Sequence, residues 1–272
     1  LTSPEHPLTA RVAVNRIWYH HFGIGLVKTL ENFGVVGERP SHPELLDYLA
    51  VEFVRSGWSL KQLHRLIMNS RTYRQGNVIT PDRQQRDPQN RLLSRMPLRR
   101  MDAEALRDSL LFVSGKLDER AGGYPDRVSV DRDGLVSANA TVTGGWRRSI
   151  YLQHRRTEIP TMLATFDYPV MGPNCTERTI SIVSPQSLML MNNRRVRELA
   201  GSFATRVEKT LAERKQAAAG SQAWDAHVTT VYQLALSRLP TAEERRLGIE
   251  TLEKLVDDWQ GDRQAALETY CH

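Results

Sequence analysis

Positions near the N-terminus recur with the period of an α-helix. One predicted face holds the positions at i, i+3, i+4, i+7 and i+8, which are Val14, Ile17, Trp18, His21 and Phe22. This spacing is typical of an amphipathic helix. Gly23 and Gly25 follow, and glycine commonly ends a helix because it adopts left-handed backbone angles at no steric cost. We therefore expect a helix that ends at about residue 22.

Two more helices are predicted by capping signatures. Ser41 precedes Glu44 by three residues, and Ser59 precedes Gln62 in the same way. Such pairs satisfy free N–H groups at a helix start. Because the connections between them are short, the three helices should pack as one subdomain over residues 1–75.

Residues 76–100 lack periodicity and predict a long connection, which is uncommon inside a compact domain. A helix is expected next, over residues 102–113. Its inward positions would be Leu106, Leu110 and Val113.

The middle of the chain changes period. Val128 and Val130 alternate with polar residues, and Asp133 with Gly134 predicts a tight turn. Residues 149–152 and 179–183 also read as short strands, with a short helix over residues 158–166 between them. These segments predict a small antiparallel β insert.

The last third returns to helical periodicity. Pro185 suits the first turn of one helix, and Thr241 with Glu244 predicts the cap of another. An inward stripe over residues 188–207 and a second one ending at Trp259 are expected. The fold class is mainly α (α+β), with helical subdomains and the small β insert. The predicted divisions are residues 1–75, 76–100, 101–183 and 184–272.

Composition excludes some classes of protein. Hydrophobic residues make up 40% of the 272 positions and charged residues 25%, which argues against a membrane protein and against wholesale disorder. The longest uncharged run, residues 179–193, contains Ser, Pro, Gln and Asn, so no membrane span is expected in this piece. Two cysteines exclude a disulfide scaffold, and a pairing of Cys175 with Cys271 is less favoured than free or buried thiols.

The net charge of +6 is concentrated in one stretch. Residues 71–100 hold eight Arg and two Asp, so the remainder of the chain is neutral on balance. This stretch is either a solvated Arg-biased linker or a basic surface for nucleic acid, an anionic glycan or an acidic protein face. No series of aromatic residues that could stack bases interleaves it.

Common catalytic motifs are absent, namely GxxxxGK[ST], GxGxxG, HExxH and GxSxG. Isolated polar residues are therefore the remaining candidates. His20 and His21 are candidate catalytic residues if they lie at a cleft edge, and otherwise His21 is a core histidine. Asn192 interrupts the apolar stripe and is either a structural amide or a binding residue. No metal site is predicted.

A denser polar group spans residues 166–186. Asp167 is a further catalytic candidate, and Arg178 and Gln186 are binding candidates near a helix start, where free N–H groups favour anions. The alternative is a structural role, in which an Asp167–Arg178 ion pair holds the loop. The spacing alone leaves both open.

Several segments resemble a known family in sequence and in order. They include PLTARVAVNRIWYHHFGIGL at residues 7–26, NFGVVGERPSHPELLDYLA at 32–50 and SGWSLKQLHRLIMNSRTYRQ at 56–75. NRLLSRMPLRRMDAEALRDSLL, LATFDYP, CTERT, SPQSLMLMNN and YQLALSRLPTAEE follow. The chain thus resembles a planctomycete-specific C-terminal domain of unknown function found in multidomain cytochrome-c-type proteins.

The resemblance implies a context rather than a mechanism. It implies export to the periplasm or cell envelope, with no cofactor in this piece but haem c in an upstream domain. It also implies that the family domain continues beyond residue 272, and that other domains of the same polypeptide are partners. No catalytic residues carry over.

Three functions follow as hypotheses. The first is a binding or assembly module that docks a redox partner or an anionic envelope polymer. The second is an enzyme acting on sulfated or uronic glycans through Asp167, Arg178 and a histidine. The third is nucleic-acid binding through residues 71–100, which an exported protein would rarely perform.

Overall fold

The computed structural model describes residues 3, 6–169, 178, 180–214 and 221–272. Two compact units divide these residues at Arg100 and Met101. Helices dominate both units, and the strands are short, so the predicted mainly α fold is confirmed.

The first unit is built around the contact between its two longest helices. Its helices are α1 (Thr9–Phe22), α2 (Pro43–Arg55), α3 (Leu60–Met68) and α4 (Pro81–Arg86). Their core contains Val14, Trp18, Phe22, Leu49 and Phe53. The helix α1 ends as predicted, since Gly23 has a φ of 78° and its N–H donates to the Tyr19 carbonyl.

The two predicted helix caps of this unit have different outcomes. Ser59 accepts a hydrogen bond from the Gln62 N–H at 3.4 Å, as predicted. The Ser41–Glu44 box is wrong, because α2 begins after His42 and has no side-chain cap. Ser41 Oγ instead donates to the Leu26 carbonyl at 3.2 Å, so the serine holds a loop rather than a helix.

Asn15 fixes the loop that follows α1. Its side chain is 1% exposed. The amide donates to the Val27 carbonyl at 2.9 Å, and its oxygen accepts from the Val27 N–H at 2.8 Å. A Cβ at Gly25 would overlap the Val27 carbonyl oxygen, so the loop passes too close for any larger residue there.

Residues 76–100 contain more structure than predicted. Besides α4, the Asp87 carboxylate accepts from the N–H groups of Arg91 and Leu92, each at 2.8 Å. The Arg95 guanidinium is buried and donates to the carbonyls of Asp87 and Pro88. Arg95 of the basic stretch is therefore part of the fold.

The second unit contains seven of the described helices. They are α5 (Ala103–Val113), α6 (Thr161–Thr165), α7 (Ser184–Asn192), α8 (Arg194–Glu213), α9 (Ser221–Leu236), α10 (Ala242–Asp258) and α11 (Arg263–Cys271). Among them α8, α9, α10 and α11 pack together. None of the described helices is both long and apolar enough to cross a membrane.

Close packing of the C-terminal helices depends on Gly248. A Cβ there would lie 2.6 Å from the Tyr270 hydroxyl and 3.0 Å from Val228. The Thr241–Glu244 capping box is present as predicted. Trp259, predicted inward, is 49% exposed because it lies beyond the end of α10, and its indole N–H donates to Thr269.

The β insert forms two small sheets rather than one. The strands are β1 (Leu117–Asp118), β2 (Val128–Val130), β3 (Val136–Ala138) and β4 (Trp146–Arg147). The hairpin β2–β3 is antiparallel, with Ser129 opposite Ser137, but β1 and β4 pair in parallel.

Two predicted strands are wrong. Ser149–Tyr151 forms a 3₁₀ turn, and residues 180–183 form no strand, while Thr179 lies outside the described residues. These segments are instead held by side chains, as described below for Ser149 and Ser181.

Buried arginines hold the β insert together. Arg147 on β4 donates from Nη2 to Asp126 at 2.9 Å and from Nη1 to the Gly122 carbonyl at 2.6 Å. Arg107 on α5 donates to the Arg147 carbonyl at 3.0 Å. The buried face of α5 is therefore Ala103, Arg107 and Leu111, and the predicted positions Leu106, Leu110 and Val113 are half-buried.

We predict that Asn15→Ala lowers the free energy of unfolding by about 2–4 kcal/mol, because the substitution leaves a buried N–H and a buried carbonyl of Val27 without partners. Asn32→Ala is the control, since the Asn32 side chain is exposed, and a change of at most about 0.5 kcal/mol is expected there. Urea denaturation measures both. Equal losses would show that the Asn15 amide has no special role.

Candidate functional site

Asp167 is engaged in holding the loop that contains Ser181. Its carboxylate accepts from the Ser181 N–H at 2.8 Å and from the Ser181 hydroxyl at 2.9 Å. The backbone of Asp167 has a φ of 61°, in the left-handed region. A short polar side chain tolerates that conformation better than most residues. These contacts give Asp167 a structural role.

Arg178 pairs with Glu104 on α5 rather than with Asp167. Its two Nη atoms donate to the two Glu104 oxygens at 2.6 and 2.9 Å. Burial raises the pKa of Glu104, but the hydrogen bonds and charge of Arg178 outweigh this and hold the pKa below its usual value. The guanidinium fork is thereby occupied.

Gln186 is a buried tie between α6, α7 and the Ser181 loop. It is 5% exposed. Its amide donates to the carbonyls of Thr165 at 3.1 Å and Ser181 at 3.2 Å, and its oxygen accepts from the Val183 N–H at 3.4 Å. No amide hydrogen is left over for a ligand.

Asn192 does not interrupt a buried stripe. The predicted stripe over residues 188–207 is divided between two helices, and Asn192 is the exposed last residue of α7. The next residue, Asn193, begins α8 by accepting from the N–H groups of Arg195 and Val196. The interpretation of Asn192 as a buried amide is wrong, because the helix break moves it to the surface.

The two histidines of α1 have different surroundings. His20 is exposed, and its carbonyl accepts from Arg99 at 2.7 Å. His21 Nε2 lies 2.8 Å from His64 Nδ1, and the Tyr73 ring stands perpendicular to His21 at 5.3 Å. At this distance one imidazole N–H donates to the bare nitrogen of the other.

Burial is the main cause that lowers the pKa of His21, and the charges of His64, His20 and Arg99 lower it further. The imidazole pair therefore favours the state in which His21 is uncharged. His20 and His21 belong to the first unit, whereas Asp167, Arg178 and Gln186 belong to the second.

A basic groove in the first unit was not predicted. We name it the Lys28 groove; it has a volume of about 250 Å³, and Lys28, Arg39 and Arg91 line it together with Glu38. All four side chains are exposed, and none of them forms an ion pair in the described structure. Trp18 and Leu26 contribute apolar surface. Only Arg91 lies in the basic stretch, so spacing along the chain could not reveal the groove.

Metal and thiol chemistry find little support in the described residues. No three His, Cys, Asp or Glu side chains there come together as a metal site. Cys271 has a free thiol, and burial, with a smaller contribution from Glu268, raises its pKa to about 12. It is therefore a weak nucleophile. Cys175 lies outside the described residues.

These features define a mainly helical protein with two units and no assembled catalytic group among the predicted residues. Residues 1–252 match the family described as PSD1, protein of unknown function (DUF1553). The chain belongs to this family. The expected membership of a family of unknown function is confirmed, whereas the planctomycete and cytochrome context stays a prediction. No curated protein and no solved structure matches the chain.

We predict that Glu104→Gln and Arg178→Gln are coupled in a double-mutant cycle. The pair is bidentate, with side chains 27% and 35% exposed, so a coupling of about 1 kcal/mol is expected after allowance for solvent screening. The more exposed pair Arg246–Glu250, at 60% and 46%, should couple more weakly. Urea denaturation of the four proteins in each cycle measures this. Additive single effects at Glu104 and Arg178 would contradict it.

We also predict that His21 makes the first unit less stable in acid. Because the folded protein holds the His21 pKa below 6.5, the unfolded chain binds more protons as the pH falls through and below 6.5, and stability is lost there. Thermal melting at pH 7.5 and 5.5 should show a smaller loss in His21→Gln than in the wild type. A variant with the wild-type loss would show that His21 is not the group responsible.

Proposed function

We propose that the protein is a binding module for an acidic polysaccharide, with an acidic sugar residue held in the Lys28 groove. The observation that carries the proposal is the set of three exposed cations, Lys28, Arg39 and Arg91, around one groove. With Glu38 as the single carboxylate among the groove residues, the groove has a net charge of about +2.

Further exposed arginines add positive charge to the same unit. Arg71 and Arg74 of the basic stretch are exposed, and so are Arg86, which pairs with Asp82, and Arg99, which bonds the His20 carbonyl. Arg95 is buried. Exposed guanidinium groups can grip carboxylates through two parallel hydrogen bonds. A polymer with one charge per sugar would engage several of them at once, which favours a polyanion over a single small anion.

Binding is favoured over glycan cleavage by the shortage of carboxylates. Most glycoside hydrolases place two carboxylic acids on opposite sides of the scissile bond. Glu38 is the single carboxylate of the Lys28 groove, and Asp167 is hydrogen-bonded to Ser181 in the other unit. The enzyme on sulfated or uronic glycans therefore remains the second candidate.

The cellular context belongs to the same proposal. An extracytoplasmic location would bring the module into contact with anionic envelope polymers, and haem c in an upstream domain would make it part of a redox protein. Docking of a redox partner is one alternative, and binding of nucleic acid is another, which the binding experiment separates from binding of a polysaccharide.

We predict that the triple variant Lys28→Gln, Arg39→Gln, Arg91→Gln binds polygalacturonate at least about tenfold more weakly than the wild type. Each lost exposed contact contributes up to about 1 kcal/mol, and a factor of ten requires about 1.4 kcal/mol in total. Isothermal titration calorimetry at 50 and 200 mM salt measures the affinity.

A matched control removes the same charges elsewhere. Arg132→Gln, Arg197→Gln, Lys254→Gln replaces one Lys and two Arg that are exposed in the second unit, and it should bind like the wild type. Equal weakening in both triple variants, or no binding by the wild type, would refute the groove. Tighter binding of single-stranded DNA would favour the nucleic-acid hypothesis, and release of reducing ends would favour the enzyme.

A further inference from the structure

The second unit contains a small cavity beside Arg107. We name it the Arg107 cavity; its volume is about 70 Å³, and it lies among α5, the hairpin β2–β3, α6 and the start of α8. Its walls are largely apolar and include Leu110, Leu111, Met162 and Leu199. Apolar walls with few polar groups are typical of sites for small molecules.

Arg107 brings a positive charge to this cavity. It is 8% exposed, and within the described structure all its hydrogen bonds come from Nη1. Nη1 donates to the Arg147 carbonyl at 3.0 Å and to the Ser149 hydroxyl at 3.2 Å. The Nε and Nη2 atoms have no partner there, and they are not sealed from water. Two neighbouring donors are thus available to a ligand.

The nearby carboxylates leave the Nε and Nη2 atoms of Arg107 unpaired in the described structure. Asp108 lies 3.4 Å from Nη1, but its short hydrogen bonds are to Ser149, at 2.8 Å from the N–H and 2.7 Å from the hydroxyl. Asp126 is engaged by Arg147. Burial lowers the pKa of Arg107, and these two carboxylates only partly offset that effect. Asp108 forms one long contact with Nη1, and none of the described carboxylates bonds Nε or Nη2. An anion that accepts hydrogen bonds from these two donors would therefore be stabilising.

Trp146, which also lines the cavity, is held in place. The Trp146 indole N–H donates to the Ala138 carbonyl at 3.2 Å, which fixes the ring. The Arg195 guanidinium stacks over that ring at 4.7 Å and is itself paired with Glu198 at 2.7 Å. A ligand therefore meets a preformed site, which favours binding because little ordering is required.

We propose that the Arg107 cavity binds a small aliphatic carboxylate. The carboxylate would accept two hydrogen bonds from Nε and Nη2 of Arg107, the bidentate geometry that guanidinium groups prefer. The alkyl chain would contact Leu110, Met162 and Leu199. A volume of about 70 Å³ exceeds the ~10–15 Å³ that a single water requires and is below the ~150 Å³ of a cavity that binds benzene. The cavity therefore suits a short carboxylate such as butyrate better than a fatty acid.

The experiment compares ligands of one series on the whole chain. Acetate, butyrate, octanoate and sodium sulfate are titrated by isothermal calorimetry. Butyrate should bind best, with a Kd of about 0.1–1 mM. Octanoate should bind more weakly because it exceeds the cavity, and sulfate because it leaves the apolar walls unfilled. No butyrate binding at 20 mM, or equal binding of sulfate, would overturn the proposal.

Variants then assign the site. Arg107→Met should weaken butyrate binding at least about tenfold. Arg206→Met is the matched control, because Arg206 lies in the same unit, bonds the carbonyls of Phe112 and Val113, and is not among the residues that line the cavity. It should bind butyrate like the wild type. Wild-type affinity in Arg107→Met, or equal loss in Arg206→Met, would overturn the assignment.

A second variant leaves the charge in place. Ala138→Leu adds three carbons to the cavity lining and keeps Arg107. Circular dichroism establishes that it is folded, and it should lose butyrate binding while acetate binding persists. If Arg107→Met does not fold, this size dependence decides the outcome, and unchanged butyrate binding in Ala138→Leu would refute the site.

Discussion

The second unit depends on the buried guanidinium of Arg147. Strands of two and three residues cannot hold themselves together by ladder hydrogen bonds alone. Arg147 replaces the missing ladder, because it binds Asp126 and the carbonyls of Gly122 and Tyr124 in one planar fork. The backbone carbonyl of Arg147 then accepts a hydrogen bond from Arg107, which connects the β insert to α5. Packing of α5 and the shape of the Arg107 cavity both follow from this arrangement.

Local signals in the sequence predicted the helices, and tertiary pairing determined the rest. The caps at Ser59 and Thr241 involve residues three apart, so spacing alone reveals them. Glu104 and Arg178 are 74 positions apart, and no local pattern could show that they pair. Nearness in sequence suggested Asp167 as the partner of Arg178, which is wrong. An apolar pattern also places arginine outside, so it could not predict Arg107 on the buried face of α5.

The two candidate sites favour different kinds of anion. The Lys28 groove is open and lined by exposed cations, so its contacts are screened by salt and suit a repeating polyanion. The Arg107 cavity is small and largely apolar, and Arg195, the second cation of its lining, is paired with Glu198. Arg107 therefore acts with little screening and suits one small acid. Each site lies within one unit, and neither requires the candidate catalytic residues His20, His21 or Asp167.

Several guanidinium groups of this chain donate to backbone carbonyls. Arg95, Arg99, Arg147 and Arg206 all do so. A lysine has one nitrogen and cannot span such carbonyls, so arginine and lysine are not exchangeable here even though they carry the same charge. The excess of arginine is thus part of the architecture. Reagents that modify lysine amines should leave the fold intact. Dicarbonyl reagents that modify guanidinium groups should unfold it, beginning with the loops that these arginines hold.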